Sequence, residues 1–270
     1  MQHIILSPHY DDAALSCGGA MAQLAAAGEL VVVATVFGGR ADPATLSPFA
    51  QSIHARPGAG NDLLAQRIAE ERQALAILGA QGRPGNYLDC IYRQQEPGGP
   101  WLYDREKALF GPVDAADGAL VDELAAVFAA LAPPADQCVI YAPLAVGNHV
   151  DHQVVQRAAM QLLEAGYDLL FYEDYPYVVR DSAGLPAALH RVKTNAGWQQ
   201  RPVALSRQDL DNKIAAVAAY ASQLGVLFGR NGAATFQDVA GALDGFARFT
   251  AYETGTGRFA ERFWAVAHPA

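Results

Sequence analysis

The sequence predicts an α/β fold with a Rossmann-like, doubly wound and mainly parallel sheet, and three observations support this prediction. Apolar runs of strand length alternate with helical patterns through the first two-thirds of the 270 residues. Leu30–Phe37 is a continuous apolar and β-branched run, which is typical of a strand buried on both faces. Two of the predicted strands are followed at once by His and Asp clusters, and ligands bind at the carboxyl ends of parallel strands.

The first predicted strand covers residues 3–8, and an Ala-rich helix follows from about Asp12 to Ala27, where Gly28 ends it. After the second strand, Gly38–Gly60 is rich in Gly, Pro and Ser. A stretch of this length without regular structure is usually a lid or a binding loop, so we expect it to be functional.

A convincing helical pattern covers Asn61–Leu78, with Asn61 or Asp62 as its N-cap and Gly79 as its end. The elements predicted next are a short strand at Tyr87–Asp89, an irregular stretch at Gln94–Pro112, a helix at Leu120–Leu131, a strand at Cys138–Leu144, a helix from His149 to Ala165 and a strand at Leu169–Tyr172.

The expected strand order is 3-2-1-4-5, in which strands one and four are neighbours and both clusters lie at the switch point of the sheet.

After residue 177 the pattern of apolar and polar residues changes. Arg191–Ala204 predicts one or two antiparallel edge strands, Asp209–Leu227 a long helix, and Phe246–Val266 a further strand or a cap. We expect a single domain over 1–270, with a core of about 1–177 and a C-terminal extension of about 178–270.

Composition and charge exclude several classes of protein. The chain is 51% hydrophobic and 17% charged, which suits a buried core and not a disordered chain. A net charge of −9 argues against nucleic acid as a partner, because phosphate binding needs clustered Lys and Arg. Apolar stretches do not approach the ~20 residues of a membrane span. Because the N-terminus enters a strand within a few residues, we expect no signal peptide and a cytoplasmic protein.

The two His and Asp clusters have the composition of a catalytic metal site. His9 and Asp12 are three residues apart across a predicted strand-to-helix turn, and His149 and His152 are three apart at a predicted helix start, so each pair can converge. A catalytic zinc takes three protein ligands and keeps one open position. These four residues are therefore candidate ligands, and two neighbouring carboxylates are available as bases, namely Asp11 and Asp151.

Each cluster also has an ordinary structural interpretation. Asp11 or Asp12 would serve equally as a helix N-cap, and His149 and His152 as common residues of a helix start. The metal interpretation is favoured because the two clusters coincide at adjacent strand ends.

The clusters resemble the motifs of the PIG-L/LmbE-like zinc-dependent N-deacetylases. Members carry a strand followed by (Pro/Ala)-His-Pro-Asp-Asp and, later, His-x-Asp-His at the next helix. The matching segments here are Pro8-His9-Tyr10-Asp11-Asp12 and His149-Val150-Asp151-His152. The similarity extends over most of the chain, through Arg67-x-x-Glu70, Leu78-Gly79, Leu88-Asp89, Tyr92-Arg93 and Ala260-Glu261-Arg262-Phe263-Trp264.

The resemblance implies that His9, Asp12 and His152 bind one Zn²⁺ per chain. It also implies that Asp11 is the general base that deprotonates the metal-bound water. It further implies that His149 stabilises the oxyanion or protonates the leaving amine, with Asp151 orienting a neighbouring histidine. Arg67 is implied as a substrate contact, although a structural ion pair with Glu70 is nearly as good an interpretation. The implied substrate-binding residues are Arg67, Tyr10, Asn148 and Asp89.

Two positions depart from the family pattern. Tyr10 stands where proline is usual, and it is expected to narrow or wall the pocket. Some members place a tyrosine two residues before the first His of the second motif, where it helps to hold the tetrahedral intermediate; Gly147 stands there in this chain. Either Asn148 or a residue from elsewhere replaces it, or the oxyanion depends on zinc and His149 alone.

The activity that the resemblance implies is hydrolytic removal of an N-acetyl group from an N-acetylated sugar or sugar conjugate, which gives acetate and a free amine. Two alternatives stay open: a metal-dependent amidase acting on a larger acyl or thiol conjugate, and a non-catalytic sugar-binding module. The partner is then a small N-acetylated sugar, and self-association into a homo-oligomer is left open. Four aromatic residues either stack on a sugar ring or anchor loops, namely Trp101, Tyr103, Tyr175 and Trp198.

Overall fold

One seven-stranded sheet organises the part of the chain that the computed structural model describes, which is residues 1–55, 62–192, 197–229 and 232–267. Its strands are β1 Gln2–Ser7, β2 Leu30–Thr35, β3 Gln81–Pro84, β4 Cys138–Pro143, β5 Asp168–Tyr172, β6 Trp198–Leu205 and β7 Phe259–Val266. Their order across the sheet is β3-β2-β1-β4-β5-β7-β6.

The sheet is mainly parallel, as predicted. The four pairings among β1 to β5 are parallel, whereas β7 pairs antiparallel with both β5 and β6. The expected order 3-2-1-4-5 therefore describes one part of the sheet, which continues beyond β5 with two antiparallel strands. The prediction of a strand at Tyr87–Asp89 is wrong. The third strand is Gln81–Pro84, an exposed segment without a large apolar side chain, which pairs with β2 at the edge of the sheet.

Helices cover both faces of this sheet. They are α1 Asp12–Ala26, α2 Pro48–His54, α3 Leu63–Leu78, α4 Glu106–Leu109, α5 Gly118–Leu131, α6 Val150–Glu164, α7 Tyr177–Arg180, α8 Gly184–Arg191, α9 Arg207–Ala218, α10 Ala221–Leu227 and α11 Phe236–Thr254. Side chains of a strand alternate between the two faces. Accordingly Ile5 of β1 packs in the core formed with α1, α3, α9 and α11, while Ile4 and Leu6 pack in the core formed with α5 and α6.

Several predicted boundaries need correction. The predicted loop Gly38–Gly60 contains the helix α2, because Ser47 accepts from the backbone N–H of Ala50 as its N-cap and Pro48 occupies the first helical position. Residues 56–61 of the predicted loop and helix start lie outside the described residues, and Asn61 with them. Asp62 caps α3 by accepting from the N–H of Ala65, as one of the two predicted alternatives.

The C-terminal third also differs from its prediction. The predicted long helix Asp209–Leu227 is two helices, α9 and α10, which are separated where Tyr220 adopts a non-helical conformation and buries its side chain. The first part of the segment predicted at Phe246–Val266 belongs to α11, and its last part is the strand β7. Among the described residues, no helix combines the length and apolar character that crossing a membrane requires.

Candidate functional site

The site lies at the carboxyl ends of three neighbouring strands. β1 leads into the turn that carries the first predicted cluster, and β4 leads through a short loop into α6, which carries the second. β1 and β4 pair directly, from Gln2 opposite Cys138 to Ile5 opposite Tyr141, so the two clusters emerge side by side. β5 is the third contributor, through the residues that follow Tyr172. The sequence predicted this strand but not its part in the site.

The turn after β1 has an unusual backbone conformation, which side chains of another element, the helix α3, support by hydrogen bonds. Asp11 has φ 104° and ψ −33°, a conformation that side-chain-bearing residues rarely adopt. One guanidinium nitrogen of Arg67 donates to the carbonyl oxygen of Tyr10 at 2.6 Å, and the carboxylate of Glu71 accepts from the backbone N–H of Asp11. Both side chains come from α3, one helical turn apart, so this helix fixes the turn in place.

Within this turn, Asp12 is directed toward two histidines. Its Oδ2 accepts from the backbone N–H of His9 at 2.8 Å and lies 3.2 Å from His9 Nδ1. The same oxygen lies 3.4 Å from Nε2 of His152 on α6. Two ligands of a tetrahedral zinc, each bound at about 2.0–2.1 Å, are roughly 3.3 Å apart. The spacing of these donor atoms therefore fits a zinc ion shared by His9, Asp12 and His152.

Each of the two histidines is held on its other ring nitrogen by a buried carboxylate. Nε2 of His9 lies 2.8 Å from Oδ2 of Asp151, and Nδ1 of His152 lies 2.6 Å from Oδ1 of Asp174. Metal-binding histidines are commonly oriented in this way, with the ring nitrogen away from the metal bonded to a carboxylate. The arrangement leaves Nδ1 of His9 and Nε2 of His152 directed at Asp12.

The charges of this cluster are strongly interdependent. Burial favours the neutral form of His152, but Asp12 and Asp174 outweigh it and raise its pKa to about 9. Burial likewise opposes charge on His9, and its hydrogen bonds with Asp12 and Asp151 raise its pKa well above the usual value. Although burial alone would raise the pKa of Asp12, the two imidazolium neighbours hold it well below its usual range. Without a metal, protons on the two imidazoles thus balance the carboxylates.

Asp151, predicted as a catalytic residue, stands behind His9. It is fully buried, and Oδ2 also accepts from the backbone N–H of Cys90, while Oδ1 lies 2.7 Å from a guanidinium nitrogen of Arg93. The structure thus places Asp151 where it orients His9 across the cluster, with Arg93 balancing its charge.

His149 differs from the other two histidines. It is the N-cap of α6, and its Nδ1 accepts from the backbone N–H of Asp151 at 3.3 Å. Burial and the neighbouring charge of His9 lower its pKa to about 3, so the ring is neutral. Because Nδ1 accepts, the ring proton is on Nε2. One nitrogen of each of the three histidines lies within 4.8 Å of the others, but this tautomer makes His149 a hydrogen-bond donor rather than a ligand.

Asp11 is buried beside the proposed ligands, with 6% of its surface exposed. Burial raises its pKa to about 7, although the positive charge of Arg67, whose guanidinium lies 3.5 Å from Oδ1, acts in the opposite direction. A carboxylate with a pKa near the working pH can both take and return a proton, which is what a general base in hydrolysis must do.

A cavity of about 220 Å³ adjoins the cluster. Of the predicted substrate contacts, Tyr10, Arg67 and Asp89 line it. Asn148 is placed elsewhere, because its amide nitrogen donates to the carbonyl oxygens of Phe110 and Gly111 at 2.7 and 3.0 Å.

The alternative ion pair between Arg67 and Glu70 is not formed, since Glu70 accepts instead from the backbone and hydroxyl of Ser222. Asp89 places its Oδ2 3.6 Å from Nε2 of His9, at the boundary between the cavity and the cluster. The four aromatic residues considered as sugar-stacking groups are not among those that line the cavity.

Sequence reasoning missed Glu71 and Asp174. Asp174 carried a usable signal, because Glu173-Asp174 follows a predicted strand in the same way as the two recognised clusters. Glu71 carried none, since an acidic residue on a surface-type helix pattern is ordinary, and its burial depends on Thr35 and Tyr220 from distant segments.

Comparison with known proteins gives consistent matches. The sequence profile described as PIG-L, GlcNAc-PI de-N-acetylase, matches residues 4–163. The 2'-N-acetylparomamine deacetylase of Niallia circulans is 30% identical over an alignment that covers 94% of this chain and 91% of the relative. The structure of the zinc-inhibited form of teicoplanin deacetylase Orf2 matches with a TM-score of 0.82 and 31% identity, over 100% of this chain and 99% of that one. The A40926 pseudoaglycone deacetylase Dbv21 matches with a TM-score of 0.73 and 28% identity, over 99% and 98%.

Proposed function

The chain belongs to the GlcNAc-PI de-N-acetylase (PIG-L) family, and from this premise we propose that it is a zinc-dependent hydrolase that removes an N-acetyl group from an amino sugar within a larger sugar conjugate. The observation that carries the proposal is the position of Asp12 Oδ2, 3.2 and 3.4 Å from the inward nitrogens of His9 and His152, with Asp11 beside it.

The donor set fits one Zn²⁺ held by Nδ1 of His9, a carboxylate oxygen of Asp12 and Nε2 of His152. The outer nitrogens of both histidines are already bonded to carboxylates, which favours ligation over a purely structural role. When bound, zinc would polarise the amide carbonyl and lower the pKa of a water molecule.

The remaining chemistry belongs to side chains of the chain itself. Asp11 accepts a proton from the water that attacks the acetyl carbon, and Nε2–H of His149 donates to the oxygen that gains negative charge. Collapse breaks the C–N bond as Asp11 returns its proton to the nitrogen, which leaves acetate and a free amine. Of the two roles implied for His149, its neutral state supports the hydrogen-bond donor, because a group with a pKa near 3 holds no extra proton to give.

Relatives support the substrate class. The matching proteins are named for N-acetylparomamine and teicoplanin, and this chain aligns with them nearly end to end. The cavity beside the cluster offers Arg67, Asp89 and Tyr10 to the sugar that carries the acetamide. A soluble sugar conjugate is therefore the proposed substrate. A single domain over 1–270 and a cytoplasmic location stay predictions, and self-association into a homo-oligomer is left open.

The test is release of primary amine from a panel of N-acetylated sugars and glycosides, by protein that holds one zinc per chain. Asp11→Asn is the informative variant, because it keeps the shape of the residue but cannot take a proton. We expect kcat to fall by about 10²–10⁴-fold with zinc content unchanged. The matched control is Asp136→Asn, an exposed aspartate beside the opposite end of the sheet, which should behave as wild type.

The outcomes separate the alternatives. Amine release that is lost in Asp11→Asn and kept in Asp136→Asn supports the deacetylase. Zinc-loaded wild type that releases no amine from any member of the panel would shift the assignment to an amidase for a different acyl group or to a binding role. Unchanged turnover in Asp11→Asn would remove this residue as the base.

A further inference from the structure

Gly147, in the loop between β4 and α6, lies directly under the side chain of Tyr177. Its φ is +83°, which disfavours any residue with a Cβ. A Cβ built at this position would also lie 2.6 Å from both Cβ and Cγ of Tyr177. The aromatic side chain that covers this point therefore comes from the segment after β5, and residue 147 has no room for one of its own.

The ring of Tyr177 is held against the catalytic cluster. Its centroid lies 5.8 Å from that of His152 at an interplanar angle of 89°, and 5.9 Å from that of Phe110. Phe110 in turn lies 5.4 Å from His149. Edge-to-face contacts of this kind are favourable and fix the direction of a ring. Tyr177 thus lies beside the histidines of the second cluster, His149 and His152.

The hydroxyl group of Tyr177 has no hydrogen-bond partner among residues 1–55, 62–192, 197–229 and 232–267. The residue is half-buried, and its hydroxyl is not used within the described part of the protein. A phenol is protonated at neutral pH, so this hydroxyl can donate a hydrogen bond to an acceptor with negative charge.

Two of the other hydrogen-bond donors near the cluster are already used within the protein. The amide nitrogen of Asn148 holds the loop at Phe110 and Gly111, and the guanidinium of Arg67 holds the turn after β1. His149 contributes one N–H from Nε2. Stabilisation of the charge that develops in acyl transfer typically uses donors that are fixed in place before the reaction. The phenol of Tyr177 meets that requirement, because its ring contacts fix it beside the second cluster and its O–H is unused.

We propose that Tyr177 is a further catalytic residue, whose hydroxyl donates a hydrogen bond to the acetamide oxygen as that oxygen becomes negatively charged. The proposal rests on the deacetylase function. Water adds to the carbonyl carbon, the C=O electron pair moves onto oxygen, and Tyr177 together with His149 donates to it. No proton is transferred from Tyr177, and the bonds to the oxygen are released when the carbonyl re-forms and the amine leaves.

The test is Tyr177→Phe, which keeps the ring that covers Gly147 and contacts His152 but removes the hydroxyl. We expect kcat to fall by about 10²–10³-fold, the usual effect of losing one such donor, with KM, zinc content and melting temperature unchanged. A phosphonate analogue of the acetamide, which carries a tetrahedral anionic centre, should bind more weakly to the variant, while the amine product should bind as to wild type.

Tyr175→Phe is the matched control. Tyr175 is a buried tyrosine two residues earlier in the same segment, and it packs on Phe228 and Phe246 in the core. Removal of its hydroxyl should leave kcat and analogue binding unchanged.

The proposal is overturned if Tyr177→Phe keeps wild-type kcat, if only KM rises, or if both variants lose kcat equally. Wild type that releases no amine would overturn the deacetylase function and this role together, whereas an active wild type with equal kcat in Tyr177→Phe overturns this role alone.

Discussion

The two strand ends that form the site are built in opposite ways. The turn after β1 has a strained backbone at Asp11, with φ 104°, and it is held by Arg67 and Glu71 from a separate helix. The start of α6 is a regular helix, in which His149 has φ −60° and caps its own first turn. On the first side Arg67 and Glu71 support the main chain of the turn itself, and Asp151 holds the ring of His9. On the second side the positive φ values lie before the helix, at Ala145, Gly147 and Asn148, and Asp174 holds the ring of His152.

This difference fits the chemistry proposed for each side. In the proposed mechanism Asp11 and Asp12 are consecutive carboxylates that act at one metal site. Adjacent side chains of a regular helix point about 100° apart, so the irregular backbone at Asp11 allows both to face the same site. In the same mechanism the second side supplies the rings of His149 and His152. A strained residue persists where surrounding structure determines its conformation, so loss of support should cost most on the β1 side.

The largest expected effect is loss of metal when a ligand on the strained side is removed. Asp12→Ala should lose zinc, because its oxygen is the one shared by His9 and His152. His149→Ala should keep one zinc per chain and lose kcat by about 10²–10³-fold, since it supplies only a hydrogen bond. Zinc content after dialysis against a chelator distinguishes them. Metal kept by Asp12→Ala and lost by His149→Ala would exchange the two assignments.

Much of this arrangement was predictable because parallel strands bring their carboxyl ends together. The alternating pattern predicted the order of the first five strands, and so it predicted that His9 and Asp12 would meet His149 and His152. β3 was misplaced because Gln81–Pro84 has no apolar pattern, and its pairing with β2 is made through the main chain alone. The helix α2 was missed although Ser47 and Pro48 carry an N-cap signal.

The supporting residues of the site were less predictable than its central residues. The roles of Asp174 and Tyr177 depend on the path of the chain after β5, which brings them against His152. The tautomer of His149 depends on a single backbone N–H. Local sequence patterns report which residues sit on one element, whereas these contacts join elements that are far apart in the chain.

The second-largest expected effect is the release of protons when zinc binds. The number of protons released tests whether His9 and His152 are protonated before the metal binds. The pKa of His9 is raised well above its usual value and that of His152 to about 9, so both rings carry protons at pH 7 in the metal-free protein. Because ligands must be deprotonated, zinc binding should release about two protons, and affinity should fall by roughly tenfold per proton for each unit of decreasing pH. Calorimetric titration in buffers of different ionisation enthalpy measures the number.

Asp174→Asn sharpens this measurement. It removes a carboxylate that raises the pKa of His152, so fewer protons should be released at pH 8 than from wild type. Zinc affinity should also fall by about 10–100-fold, as is common for a lost partner of a metal-binding histidine. Release of no protons from wild type would mean that the two rings are neutral before metal binds, and would contradict the electrostatic description.

The smallest effect compares two neighbouring glutamates of α3 that differ in what they hold. Glu71 accepts from Tyr220 and Thr35 and from the backbone N–H of Asp11, whereas Glu70 accepts from Ser222 on α10 and from the side chain of Gln66 on its own helix.

Glu71→Gln and Glu70→Gln each keep the size of the side chain but weaken buried hydrogen bonds, so each should lower the free energy of unfolding by about 1–3 kcal/mol. Only Glu71→Gln should also lower kcat, on the order of tenfold, because only Glu71 supports the strained turn. Melting temperature and kcat, measured on zinc-loaded protein, separate the two effects. Equal kcat in the two variants would show that the conformation of Asp11 does not depend on α3, and that the two sides of the site are supported alike.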